Sequence, residues 1–390
     1  MALLRIIVFL QSAVAIALNL PTPGGPFSVG LHTAALTDAT RFDPYAPIDS
    51  PRLRNIMISI FTPVNTTANP CIITLVPYMT PLVAADFDIL AMSGGLPNGT
   101  FSNLQMELCS DPAQTSCRSG LRRISNTPRA LLVFSPGFGQ SRLVYNAMAQ
   151  SLASEGYVVV TIDHPYDADV VEFPDGSYVL AANISSEDDA ALDSLLEVRA
   201  KDISFVIDQL QNSSALRKTV EKSGNAIDFS KIVMYGHSLG GATAAAVMPT
   251  DSRIRGGVNL DGRFFTRAMA TGVGAPFMNV GRPDHRLEDT TWDTFFNVSK
   301  GPLLEVEVAG TLHAAFTDFP VVIGTSDPTS PEVIAGLQTF VGTIPWLRAG
   351  VVIAKIVTAF TESVLDHQNS TILSGSDSDF PEVKLVRSHQ

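Results

Sequence analysis

The stretch that most restricts the fold of this chain is an apolar run, Ile232-Val-Met-Tyr235, which passes directly into Gly236-His-Ser-Leu-Gly-Gly241 and then Ala242-Thr-Ala-Ala-Ala-Val247. A buried strand, a Gly-x-Ser-x-Gly turn and a closely packed helix follow one another without a spacer. That succession makes a nucleophile elbow, in which a serine stands exposed at the C-terminal edge of a parallel sheet. The turn strains the serine backbone and presses strand against helix, so bulky side chains two positions away on either side would collide. Gly236, Gly240 and Gly241 leave that room, and Ser238 is the expected nucleophile. A glycine-rich turn that merely packs well is the plainer reading, but it requires neither the strand before nor the small-residue helix after.

The rest of the chain supplies a matching sheet. Ala130-Leu-Leu-Val-Phe-Ser135 and Tyr157-Val-Val-Val-Thr-Ile162 are continuous apolar runs of the kind a parallel sheet buries on both faces. The segments 55–61, 253–260, 275–280 and 303–309 read as further strands, the last being the final strand. Helical spacing predicts helices over 142–155, about 186–210 and 350–365, and Pro174-Asp-Gly176 a small hairpin. Strands alternating with helices imply a doubly wound, mostly parallel α/β sheet with its functional groups at the strand C-terminal ends. Residues 18–50, rich in Pro, Gly and Asp, read as an N-terminal arm. Residues from about 63 to 128 read as an irregular insertion, and 369–390 as a polar tail, leaving one α/β domain over 18–368.

A serine nucleophile needs a base, an acid that orients the base, and amides that receive negative charge. In hydrolases of this elbow type the chain order is Ser, then Asp or Glu, then His. His285 and His313 follow Ser238 at strand ends, and His313, after the expected last strand and Gly310, is the expected base. Asp261 and Asp284 compete as the acid. Asp261 sits directly on the run Gly257-Val-Asn-Leu260, whereas Asp284 lies in a polar turn, so Asp261 is preferred. The oxyanion amides are expected from Leu239 and from Phe138 in the loop Pro136-Gly-Phe-Gly139. His164, Tyr166 and Asp167 form a turn at another strand end that is more often structural.

The 390 residues carry a formal charge of −12, with 26 Lys and Arg against 38 Asp and Glu. An acidic surface argues against nucleic acid and against electrostatic binding to anionic membranes. Residues 1–17 have a basic start, a short apolar run and the Ala15-Ile-Ala17 cleavage pattern of a secretory signal peptide; the run falls short of the ~20 apolar residues of a spanning helix. Six Asn-x-Ser/Thr sequons, at Asn65, Asn98, Asn183, Asn212, Asn297 and Asn369, suit a secreted glycoprotein. In an oxidising compartment Cys71, Cys109 and Cys117 allow one bridge with one thiol over, and the spacing leaves the pairing open. They lack the spacing of a metal site, and no metal or cofactor is expected.

Taken together, Val133-Phe-Ser-Pro-Gly-Phe-Gly139, Asp163-His164, Gly236-His-Ser-Leu-Gly-Gly241, Leu260-Asp261 and Gly310-Thr-Leu-His313 followed by Phe316, Asp318 and Phe319 resemble the secreted and cytosolic type II platelet-activating factor acetylhydrolases, most closely their fungal relatives. The similarity includes the opening Leu20-Pro-Thr-Pro-Gly-Gly-Pro-Phe-Ser-Val-Gly30 and Leu36-Thr-Asp38, and so most of the chain beyond residue 17. The resemblance implies a calcium-independent α/β-hydrolase that cleaves short or oxidised acyl groups from the sn-2 position of phospholipids. It maps the triad onto Ser238, Asp261 and His313, and the oxyanion amides onto Phe138 and Leu239. Family members usually have His-Gly where this chain has Pro136-Gly137, and often Phe where it has Leu239; both departures bear on substrate selection.

The expectation is therefore a secreted serine esterase acting on a small-molecule or lipid ester, without nucleic acid. Transient contact with a lipid surface and the oligomeric state stay open. A general short-chain esterase, a cutinase-like enzyme or a lipase shares the same elbow. A non-catalytic hydrolase-fold binding protein is the rival of another class, and the filled catalytic positions weigh against it.

Overall fold

The computed structural model describes residues 17–66, 71–110 and 127–389. The strands, in chain order, are β1 (Leu18–Asn19), β2 (Ser28–Phe42), β3 (Leu53–Val64), β4 (Ile72–Pro77), β5 (Leu104–Ser110), β6 (Thr127–Ser135) and β7 (Val158–Asp163). They continue with β8 (Val170–Glu172), β9 (Tyr178–Leu180), β10 (Asn225–His237), β11 (Ile254–Leu260), β12 (Phe277–Gly281), β13 (Leu303–Val308) and β14 (Val383–His389). The main sheet has nine strands in the order β14-β13-β12-β11-β10-β6-β7-β3-β2. From β13 to β7 every pairing is parallel, while β3, β2 and β14 run antiparallel to their neighbours. The expected doubly wound, mostly parallel sheet is what forms.

Each central strand is buried on both faces, so its alternate residues enter two separate cores. Leu132, Phe134, Val233, Tyr235, Val258 and Leu260 face one core, with the helices Asn146–Ser154 and Trp346–Asp366. Leu131, Val133, Ile232 and Met234 face the other, against Ile203, Val206 and Leu210 of the helix Asp189–Asn212 and against the elbow helix Leu239–Val247. The hairpin near Pro174 is β8 and β9.

Both ends of the chain differ from expectation. Part of the N-terminal arm is β2, a long edge strand in register with β3 from Ser28 opposite Val64 to Asp38 opposite Arg54. The polar tail ends in β14, which closes the sheet beyond the supposed last strand β13. Cross-strand ion pairs accompany its backbone ladder, Arg387 Nε to Glu305 at 2.7 Å and Lys384 Nζ to Glu307 at 2.7 Å. The insertion is also structured: its strands β4 and β5, joined by β1 of the arm, form a small sheet, and it contains the helix Pro81–Ser93. A disulfide joins Cys71 to Cys109, with Cα atoms 5.5 Å apart. Cys117 and the proposed signal peptide up to residue 16 lie outside the described residues.

Candidate active site

β10 ends at His237 and the elbow helix begins at Leu239, leaving Ser238 between them at φ 54° and ψ −122°. Steric exclusion sets the neighbours. A Cβ on Gly236 would lie 2.2 Å from the Gly240 backbone, and one on Gly240 would lie 1.9 Å from the Ser135 carbonyl oxygen. Ser238 N donates to Leu260 O at 2.9 Å, which fixes the elbow to the end of β11, where Asp261 follows.

Asp261 is buried, at φ 55°. Its Oδ2 accepts from His313 Nδ1 at 2.7 Å. Its Oδ1 accepts from His285 Nδ1 at 2.7 Å and from the Arg282 amide at 2.9 Å. Burial opposes charge on this carboxylate, but the hydrogen bonds from His285 and His313 outweigh it and hold its pKa below the usual carboxylate range. Asp284, the competing acid, starts the short helix His285–Glu288 in a left-handed conformation. His285, the competing base, takes the other oxygen of Asp261, is bracketed by Asp289 at 3.3 Å, and stacks on Trp292. Burial lowers its pKa, yet the hydrogen bonds it donates to Asp261 and Asp289 carry it above the ordinary histidine value.

His313 sits in the loop after β13, its side chain about half exposed. Its ring lies 4.5 Å, centroid to centroid, from that of His237, the residue before Ser238. The Ser238 hydroxyl makes no hydrogen bond among the described residues. In enzymes without substrate such contacts are often long and close on binding. Phe138 is half-buried and Leu239 buried, and neither amide donates to another group among the described residues. Two free amides beside the elbow are what a developing oxyanion requires.

Two groups of residues around the site add to the expected catalytic set, and of their members the sequence had marked only His164 and Asp167, as a turn more often structural. Arg199, fully buried on the helix Asp189–Asn212, clamps the oxyanion loop: it donates to Pro136 O at 2.6 Å and Gly137 O at 3.2 Å, and pairs with both oxygens of Asp167 at 2.5 and 2.7 Å. Behind it His164 bridges Ser135 Oγ at 3.0 Å and Asp202 at 2.9 Å, all three buried, and Asp202 is paired with buried Arg54. His164 and Asp167 thus hold the loop from behind. The second group is Tyr145 and His237, joined by a hydrogen bond of 2.9 Å between Tyr145 Oη and His237 Nδ1.

A model of the α/β-hydrolase family matches residues 132–371. A probable 1-alkyl-2-acetylglycerophosphocholine esterase of Arthroderma benhamiae is 31% identical over 97% of this chain and 96% of its own length. The chain belongs to the α/β-hydrolase family, among the platelet-activating factor acetylhydrolases. The platelet-activating factor acetylhydrolase of Bos taurus is 30% identical over a shorter stretch, 35% of each chain. A solved ferulic acid esterase from Streptomyces cinnamoneus superposes with a TM-score of 0.73 at 29% identity, covering 95% of this chain and all of that one. These α/β-hydrolase relatives bear out the expected fold, family and reaction class, a carboxylic-ester hydrolase.

Proposed function

We propose that this α/β-hydrolase is a secreted serine esterase that removes short or oxidised acyl groups from the sn-2 position of phospholipids through an acyl-enzyme. The observation that carries the mechanism is the Asp261–His313 hydrogen bond at the strand end beside the Ser238 elbow. Ser238 Oγ attacks the acyl carbonyl carbon as His313 Nε2 takes its proton, while Asp261 holds the imidazole through Nδ1. The oxyanion of the tetrahedral intermediate is received by the Phe138 and Leu239 amides. Collapse breaks the ester bond, and the leaving alkoxide takes the proton from His313. Water, deprotonated by His313, then attacks the acyl-enzyme, releasing the carboxylic acid and restoring Ser238.

A lipid ester is supported by the phospholipid-type esters in the names of the relatives; an apolar cavity of about 320 Å³ between the helices Pro81–Ser93, Phe319–Ser326 and Pro331–Val341 is lined by Leu90, Phe101, Phe319, Leu337 and Phe340 and by none of the proposed catalytic residues. Ile89, Leu90 and Met92 stand exposed on the same helix, which suits transient contact with a lipid surface. Secretion is supported by the Cys71–Cys109 bridge and by the exposure of all six sequon asparagines.

The test is a panel of phosphatidylcholines with sn-2 chains from acetyl to palmitoyl, run beside triglycerides and p-nitrophenyl and feruloyl esters, with and without chelator. Highest kcat/KM on acetyl or oxidised phospholipid, unchanged by chelator, is expected. Preference for long-chain triglyceride or for feruloyl esters would overturn the substrate class while leaving the mechanism standing.

A further inference from the structure

One hydrogen-bonded chain runs under the site and connects its three parts. Gly137 N lies 3.2 Å from Tyr145 Oη, Tyr145 Oη lies 2.9 Å from His237 Nδ1, and His237 Nε2 lies 3.1 Å from the carbonyl oxygen of His313. The direction of every proton follows from its end. A carbonyl oxygen only accepts, so His237 Nε2 carries the hydrogen. In the neutral ring Nδ1 must then accept, so the Tyr145 hydroxyl donates to it and its oxygen is left to accept from the Gly137 amide. Burial, with His313 nearby, drives the His237 pKa down to about 3, so the ring is neutral above that pH and its tautomer is set by these partners.

The attachment points are adjacent to the reacting groups. Gly137 precedes Phe138, whose amide is assigned to the oxyanion; His237 precedes Ser238; and the His313 carbonyl belongs to the base itself. Tyr145 and His237 are buried, and Tyr145 packs on Phe134 at 4.5 Å between ring centroids. The close fit extends to Gly137, where a Cβ would lie 3.3 Å from His237 Nδ1 and 3.4 Å from Tyr145 Oη. The base loop is anchored again farther along. Asp318 N donates to Val144 O at 2.9 Å, and its carboxylate accepts from the Ala147 and Met148 amides at the start of the helix after the oxyanion loop.

We infer that Tyr145 and His237 are positioning residues that tie the oxyanion loop and the base loop to the nucleophile elbow, holding the Phe138 amide, Ser238 and His313 in mutual register. The inference rests on the catalytic roles proposed for those three groups. The strap is buried, so its loss is expected to change turnover and to leave binding of the acyl chain largely intact.

Steady-state kinetics on a short-chain p-nitrophenyl ester test it, with thermal melting run on each variant. Tyr145→Phe keeps the ring packing and removes the bond; kcat is expected to fall about tenfold or more, with KM within about twofold. His237→Gln keeps an Nε2 donor for the His313 carbonyl and is expected to retain most of the kcat that His237→Leu loses. A Tyr145→Phe enzyme with unchanged kcat, or equal losses in the Gln and Leu variants, would overturn the inference. Ser238→Ala is measured in parallel. An inactive Ser238→Ala with a fully active Tyr145→Phe sinks the strap alone, whereas an active Ser238→Ala sinks the catalytic reading and the strap with it.

Discussion

His237 is held neutral by burial, and its pKa of about 3 lies well below the ordinary histidine value. As pH falls through about 6.5 the unfolded chain takes up a proton at this residue, but the folded chain does so only near 3. Unfolding therefore binds a proton in that window, and the contribution of His237 to stability falls as pH drops from 6.5 toward 3. Melting temperatures measured from pH 7 to pH 4 are expected to drop less steeply for His237→Gln than for the parent; identical slopes would remove this account. At Asp261 the prediction is catalytic. Asp261→Asn keeps the shape but loses the charge opposite His313, and kcat should fall about a thousandfold or more with the fold intact by circular dichroism. Ser238, Asp261 and His313 could be proposed from the sequence because an elbow motif and a fixed chain order mark them as candidates. Tyr145, His237 and Arg199 could not, since their bonds join positions 92, 76 and 63 residues apart and no local spacing records them.

The helix Asp189–Asn212 acts on the site through one guanidinium. Arg199 closes on Asp167 and two carbonyls of the oxyanion loop in a fully buried setting. Arg199→Met leaves Asp167 as an unpaired buried charge, and chemical denaturation should show a loss of about 3–5 kcal/mol. Arg199→Lys should recover little, because a single ammonium cannot make the forked contacts. Among the elements, the central strands were readable because burial on both faces leaves unbroken apolar runs. The edge strands β2 and β14 were not. One side of each meets solvent, and β14 holds its place with ion pairs to Glu305 and Glu307, so neither shows an apolar run. Truncation after Asp379 should expose the β13 edge, lower the melting temperature and promote aggregation measurable by light scattering.

At the scale of the molecule, one sheet gathers the chemistry at the C-terminal ends of β6, β10, β11 and β13, and a separate three-stranded sheet carries the disulfide. Cys71 and Cys109 close a loop of 38 residues, and Cys109→Ser should cost about 2–4 kcal/mol of stability by denaturant unfolding. The sequence left that pairing open because spacing alone does not say which thiols meet. The strand register does: it sets Ile73 opposite Cys109, two residues beyond Cys71. The central claim is that Ser238 is an activated nucleophile served by His313 and Asp261. Intact-mass analysis after treatment with a fluorophosphonate tests it most directly. The account predicts one adduct, mapped to Ser238, abolished in Ser238→Ala and strongly slowed in His313→Gln together with ester hydrolysis; undiminished labelling or hydrolysis in Ser238→Ala would contradict it.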